Sequence, residues 1–259
     1  MSTWILLRGL ARESRHWAEF PSQLRAAGLE GDIVCVDLPG CGVHAPVKVP
    51  SSVRAMVERV RADVASRGHE PPFRIVGLSL GAMVAVAWAQ NWSAEIEGLV
   101  LINTSMRPFS GPLMRLRVGA LPMLVRAAIG WRGRRAAEAA IHALTCERRD
   151  RYDTDLAVWI AIYRSAPVTP ANALRQLWAA ARFEAAPAAP AAPACPTLVL
   201  ASRADRLVHP DCSRALARAW GAAYREHPWA GHDLQHDDAA WLAEVIRAWV
   251  SEDELRTVR

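Results

Sequence analysis

The sequence predicts an α/β fold: a mostly parallel sheet with helices on both faces and a helical cap inserted between two of the strands. Three observations carry that expectation. Apolar strand-like runs alternate with helical spacing through most of the 259 residues. The alternation breaks from about residue 108 to residue 183, where only helical patterns occur, and then resumes. Before the break, the short apolar run Phe73-Arg74-Ile75-Val76 enters Gly77-Leu78-Ser79-Leu80-Gly81 and leaves as the breaker-free run Ala82 to Ala89. That is a strand, a sharp turn and a helix.

The elements follow in order. Trp4 to Leu7 reads as the first strand, and Ser14 to Ala27 contains a helix. Asp32 to Asp37 is a second strand, ended by Leu38-Pro39-Gly40-Cys41-Gly42. Ser51 to Arg67 places Val53, Met56, Val57, Val60 and Val64 on one helical face. The central strand and helix come next, then a strand from Ile96 to Ile102. After the helical stretch, the β pattern returns at Thr197 to Ala201. A helix from Asp211 to Trp220, a short strand from Ala222 to Glu226 and a terminal helix from Ala239 to Val250 complete the chain. The expected division is therefore a core of residues 1–106 and 195–259, a cap of residues 107–184, and a connector of residues 185–194. The connector repeats Ala-Ala-Pro, which favours an extended, semi-rigid strand of polyproline type.

Length and an apolar content of 52% allow one large core. No apolar run reaches the roughly eighteen residues needed to cross a bilayer. The start of the sequence reads as a strand and not as a signal peptide. The five cysteines have no CxxC spacing and make no metal-site pattern, so they read as free thiols in a reducing compartment, with the cytoplasm as the expected location.

The glycines around Ser79 have a physical reason. A strand that reverses sharply into a helix needs neighbours without Cβ atoms, and the serine at the turn is forced into a strained conformation. The turn lifts the hydroxyl above a helix N-terminus, which favours developing negative charge. A serine hydroxyl needs a base to become a nucleophile, and the base needs an orienting acid. At the ends of later strands, Asp205 fills the acid position and His232, after Gly231, fills the base position. Asp211 reads as a helix N-cap, Asp233 as pointing elsewhere, and His236, Asp237 and Asp238 as the start of the last helix. His209 and His227 precede prolines and read as turn residues. A tight turn without chemistry is the plain alternative for Ser79. The backbone N–H groups of Leu80 and Leu10 are the candidate pair for an oxyanion.

With these pieces in place, the chain resembles the α/β-hydrolase superfamily from end to end. The matching segments are Leu7-Arg8-Gly9-Leu10, Asp37 to Gly42, Gly77 to Gly81, Leu99 to Asn103, Cys195 to Val199, Asp205 and Gly231-His232. Within the superfamily it is most similar to small capped carboxylesterases, such as the pimeloyl-carrier-protein methyl esterase, and to related thioesterases. The resemblance implies an α/β-hydrolase fold and hydrolysis of a small-molecule acyl ester or thioester by Ser79, His232 and Asp205, with no metal or organic cofactor. A lyase using the same three residues and a non-catalytic ligand-binding protein stand as alternatives. One departure is notable: the family usually carries His-Gly after the first strand, and this chain has Arg8-Gly9, which would set a cation beside the cleft.

The net charge of +5 is uneven. Between Ser105 and Arg151 there are ten arginines and three acids, so that segment alone carries +7. Its apolar residues make it amphipathic. A solvated helix face is the plain reading. An acidic carrier protein, a coenzyme A thioester or an anionic lipid surface would each suit the charge, whereas no nucleic-acid motif accompanies it. Trp131, Trp159 and Trp178 in the cap are candidates for the wall of an apolar acyl pocket, or else ordinary core.

Overall fold

A computed structural model describes residues 2–185 and 192–257. Most of the expected connector, residues 186–191, lies outside them. Six strands, β1 (Thr3–Leu7), β2 (Ile33–Val36), β3 (Phe73–Leu78), β4 (Ile96–Ile102), β5 (Thr197–Ser202) and β6 (Ala223–His227), form one sheet in the order β2-β1-β3-β4-β5-β6. Every neighbouring pair is parallel. All strands therefore end on the same edge, and loops leaving that edge can meet over it.

The strands alternate between two apolar layers, as the two-residue period requires. Ile5, Leu7, Ile75, Leu99, Leu101 and Val199 face α2 (Val53–Ser66), α3 (Leu80–Asn91) and α9 (Pro210–Trp220). Trp4, Leu6, Val76, Leu78, Val100 and Leu200 face α1 (Phe20–Ala26) and α11 (Ala239–Thr257). Helix α3 is apolar all round and buried along its length, because it packs on the middle of the sheet while α2 covers its outer side. Between β4 and β5 the chain forms α4 (Pro112–Arg115), α5 (Leu121–Ile129), α6 (Arg135–Thr145), α7 (Tyr152–Ser165) and α8 (Pro170–Arg182). This is the expected α/β-hydrolase architecture with its helical insert.

Some boundaries differ from the sequence reading. The stretch Ser14 to Ala27 divides into a 3-10 turn, Ser14–Trp17, and α1, with Ala18 between them at a φ of 49°. Leu234–Asp237 is a short helix of its own, α10, and not the beginning of α11. Asp211 is not the N-cap of α9. It lies in the first turn, and the cap is His209, whose Nδ1 accepts from the Asp211 N–H at 3.2 Å.

Candidate active site

Ser79 sits between β3 and α3 at φ 55° and ψ −112°, a left-handed backbone that a residue with a Cβ rarely adopts. The neighbouring glycines explain how the turn survives. A Cβ on Gly77 would come within 2.6 Å of the Ala82 backbone, and one on Gly81 would collide with the Leu7 carbonyl of β1. The strain is held by surrounding bonds: the Ser79 N–H donates to the Ile102 carbonyl at 2.9 Å, and its carbonyl accepts from Thr104 Oγ1 at 3.0 Å. The Ser79 side chain is only half-buried.

Asp205 and His232 are both buried, at 1% and 4% exposure, and the structure brings them together. The imidazole Nδ1 meets Asp205 Oδ2 at 2.7 Å, while Asp205 Oδ1 accepts from the Leu207 and Val208 N–H groups at 2.8 and 2.9 Å. With both oxygens occupied, the carboxylate has a fixed orientation, and the imidazole leaves Nε2 as its other nitrogen. Burial by itself would lower the affinity of His232 for a proton. The charge of Asp205, its hydrogen bond and the charge of Asp233 overcome that, and the pKa lies above the ordinary histidine value.

Asn103 and Thr104, which follow β4, connect the serine loop to the histidine loop. Asn103 Nδ2 donates to the His232 carbonyl at 2.8 Å and to Ser202 Oγ at 2.9 Å, and the next residue holds the Ser79 carbonyl. Ser79, Asp205 and His232 thus belong to loops that leave the same edge of the sheet. Asn103 itself is at φ 47°, a position where asparagine is tolerated better than most residues. The only sequence signal for these two linkers is their position at a strand end.

Leu80 is the first residue of α3, so its N–H has no intrahelical acceptor. The loop carrying Leu10 lies beside the serine: a Cβ on Gly9 would sit 3.3 Å from Ser79 Cβ. Arg8 is not an open cation at a cleft. It is 2% exposed, pairs with Asp233 Oδ1 at 2.8 Å and lies over the Trp17 ring. Burial favours a protonated Asp233, but Arg8 and then Arg12 and His232 hold its carboxyl far below the usual range.

The three cap tryptophans do not gather in one wall. Trp159 is 4% exposed and packed against Arg12, His16, His142 and His236. Trp131 is half-buried beside Tyr163 and Arg134. Trp178 is 58% exposed and lines an outer groove with Lys48, Val49 and Arg175, so it has no place in a pocket with the other two.

Two further clusters lie under the cap. Glu138 is shared by Arg12, at 2.9 Å, and Arg134, and all three are buried. Among the described residues, one group has the proximity of metal ligands: donor atoms of His142, Cys146 and His236 lie within 4.8 Å of one another. Asp155 Oδ2 already joins the two rings, at 3.2 Å from His142 Nε2 and 2.8 Å from His236 Nε2. Arg149 Nη1 stands 3.3 Å from His142 Nδ1, and a guanidinium can only donate. His142 therefore carries its proton on Nε2, toward Asp155, and its Nδ1 lone pair is occupied by the Arg149 guanidinium. Sequence spacing does not reveal this group, because His236 belongs to α10 while His142 and Cys146 stand at the end of α6, far away in the chain.

The last tie concerns Asp237. Its carboxylate accepts from the N–H groups of Gly231 at 2.7 Å, Glu147 at 3.0 Å and Arg148 at 2.9 Å. It fastens the loop of His232 to the chain leaving α6, a role that its place near a helix start had hidden.

A family model described as "Alpha/beta hydrolase family" matches residues 4–245. A search of the curated proteins matched none. Among solved structures, the chain is similar to the enol-lactonase from Burkholderia xenovorans LB400, with 23% identity and a TM-score of 0.73 over 96% of this chain and 91% of that one. It is also similar to a thermophilic esterase from Thermogutta terrifontis, with 22% identity and a TM-score of 0.70 over 97% of this chain and 90% of that one. At such identities these likenesses establish the fold.

Proposed function

The chain belongs to the alpha/beta hydrolase family, and from that premise we propose that it is a serine hydrolase of carboxylic esters or thioesters. The observation that carries the proposal is the buried His232–Asp205 pair at 2.7 Å, set on the same sheet edge as a strained serine at a helix N-terminus. Ser79 Oγ attacks the acyl carbonyl while His232 Nε2 takes its proton. Asp205 keeps the proton of the resting ring on Nδ1 and stabilises the imidazolium. The Leu80 and Leu10 N–H groups receive the oxyanion. His232 then gives its proton to the departing alkoxide or thiolate. Water, deprotonated by the same ring, releases the acid from the acyl enzyme. A thermophilic esterase and an enol-lactonase share this fold, which supports this substrate class.

The test is labelling with a fluorophosphonate together with hydrolysis of p-nitrophenyl esters. Labelling at Ser79 with turnover of short acyl chains is the expected result, both abolished by Ser79→Ala. Absence of labelling in the folded protein would end the proposal. Labelling without turnover would move the chain to another reaction of the fold.

A further inference from the structure

We infer that the α4–α5 face of the cap docks on an anionic lipid surface. Large apolar side chains that a folded chain normally hides are concentrated there. Leu113 is 71% exposed, Val118 59%, Leu121 46%, Val125 55% and Ile129 82%. Leu121, Val125 and Ile129 stand four residues apart on α5, so they form one ridge along the helix. The other side of α5 packs on α6, which leaves the ridge with no partner in the described chain. An aliphatic face of this kind on a monomer marks an interaction surface.

The charge around the ridge identifies what covers it. From Arg107 to Ala137 there are seven arginines and no aspartate or glutamate. Arg126, inside α5, and Arg132, just after it, are exposed and have no acidic partner among the described residues. An apolar ridge flanked by unpaired cations fits the boundary between acyl chains and acidic headgroups. An acidic protein fits less well. Protein interfaces are anchored by aromatic residues, with leucine and valine under-represented at the hot spots, and no aromatic residue occurs from Leu113 to Ile129.

The face is also fastened to the catalytic edge. The Arg117 N–H donates to the Leu207 carbonyl at 3.0 Å, Arg117 Nη1 donates to the Asp205 carbonyl, and the His209 N–H donates to the Met114 carbonyl at 3.0 Å. The segment that meets the lipid is thus hydrogen-bonded to the loop that carries Asp205, so docking brings that rim of the molecule to the surface.

The experiment is sedimentation of the full chain with phosphatidylcholine vesicles and with the same vesicles containing phosphatidylglycerol. It uses the Ser79→Ala protein, so binding is read without turnover and its outcome is separate from that of the proposed hydrolysis. Binding to the phosphatidylglycerol vesicles is expected, weakening as salt rises. Val125→Glu with Ile129→Glu should reduce the bound fraction at least about tenfold. Arg126→Gln with Arg132→Gln should remove severalfold of the binding and most of its salt dependence. All four positions are exposed, and circular dichroism checks each fold; if the glutamate pair does not fold, the glutamine pair decides. Failure to sediment at low salt, unchanged sedimentation of the variants, or binding to an acidic acyl-carrier protein in place of vesicles would each overturn the inference.

Discussion

At the scale of single residues, on the proposed mechanism the proton on His232 decides when Ser79 can act. Asp205 holds that proton more firmly than water holds it on a free histidine, against the opposing effect of burial. A base must be unprotonated, so kcat/KM should rise with pH through an apparent pKa above the free-histidine value of about 6.5. The same shift has a stability consequence. A raised folded pKa adds stability below the unfolded value, and that part is lost as pH rises through the folded value. Asp205→Asn removes the charge and leaves burial, so the acid limb should move to lower pH. Activity should fall about 10⁴-fold, as in other triads deprived of this carboxylate. A pH–rate profile on a p-nitrophenyl ester measures both, and an unmoved limb would show that Asp205 does not hold the ring. Gly81 offers a second residue-scale test. A Cβ there meets the Leu7 carbonyl, which is backbone and cannot swing aside. Gly81→Ala should destabilise the protein by more than about 3 kcal/mol, in the range of severe core changes, measured by chemical denaturation.

At the scale of elements, the loop after β1 is held by a buried ion pair. Arg8 and Asp233 are each nearly free of water and 2.8 Å apart, and two Arg8 nitrogens, Nε and Nη1, have no hydrogen-bond partner among the described residues. Removing one member leaves the other charge stranded. Asp233→Ala should therefore cost about 3–5 kcal/mol at neutral pH, whereas Arg8→Met with Asp233→Leu should recover much of the loss. Because the folded Asp233 pKa is depressed, the stability it gives is present above the ordinary carboxylate range and fades as pH falls below it. The deficit of Asp233→Ala should shrink in acid; denaturation curves at neutral and acid pH would show it, and a constant deficit would argue that packing, not charge, is lost. This pair also marks the limit of reading by sequence. The alternation of β1 to β6, the turn at Ser79 and the order of Ser79, Asp205 and His232 are local signals, because period and spacing survive in one dimension. The partners of Arg8, Asn103 and Asp237 are not local. Arg8 and Asp233 are 225 positions apart, and only folding shows that a cation after β1 is buried against the residue next to His232.

At the scale of the whole molecule, cap and core are joined at many polar points, and one group of them is part of the histidine loop. Asp237 receives three backbone N–H groups, one from Gly231 and two from the chain just beyond α6. The Asp233 N–H also donates to the Thr145 carbonyl at 2.9 Å, and a Cβ on Gly231 would lie 2.6 Å from that same oxygen. The end of α6 therefore presses directly on the residue before His232. Any movement of the cap there is a movement of the proposed general base. Asp237→Ala leaves three donors without an acceptor, Gly231 buried and Glu147 and Arg148 partly buried, at about 1–3 kcal/mol for a typical buried unsatisfied group. The loss should be local, since neither α11 nor the sheet depends on this carboxylate. Hydrogen exchange should quicken at Gly231, Glu147 and Arg148 while β3 and β4 keep their protection. Activity should fall through kcat more than through KM, because on the proposed mechanism the displaced group is the base and not a substrate contact. Asp237→Asn retains an acceptor oxygen and should restore part of both. Uniformly faster exchange across the sheet, or a change in KM alone, would show that Asp237 supports the fold at large and not the coupling between the cap and His232.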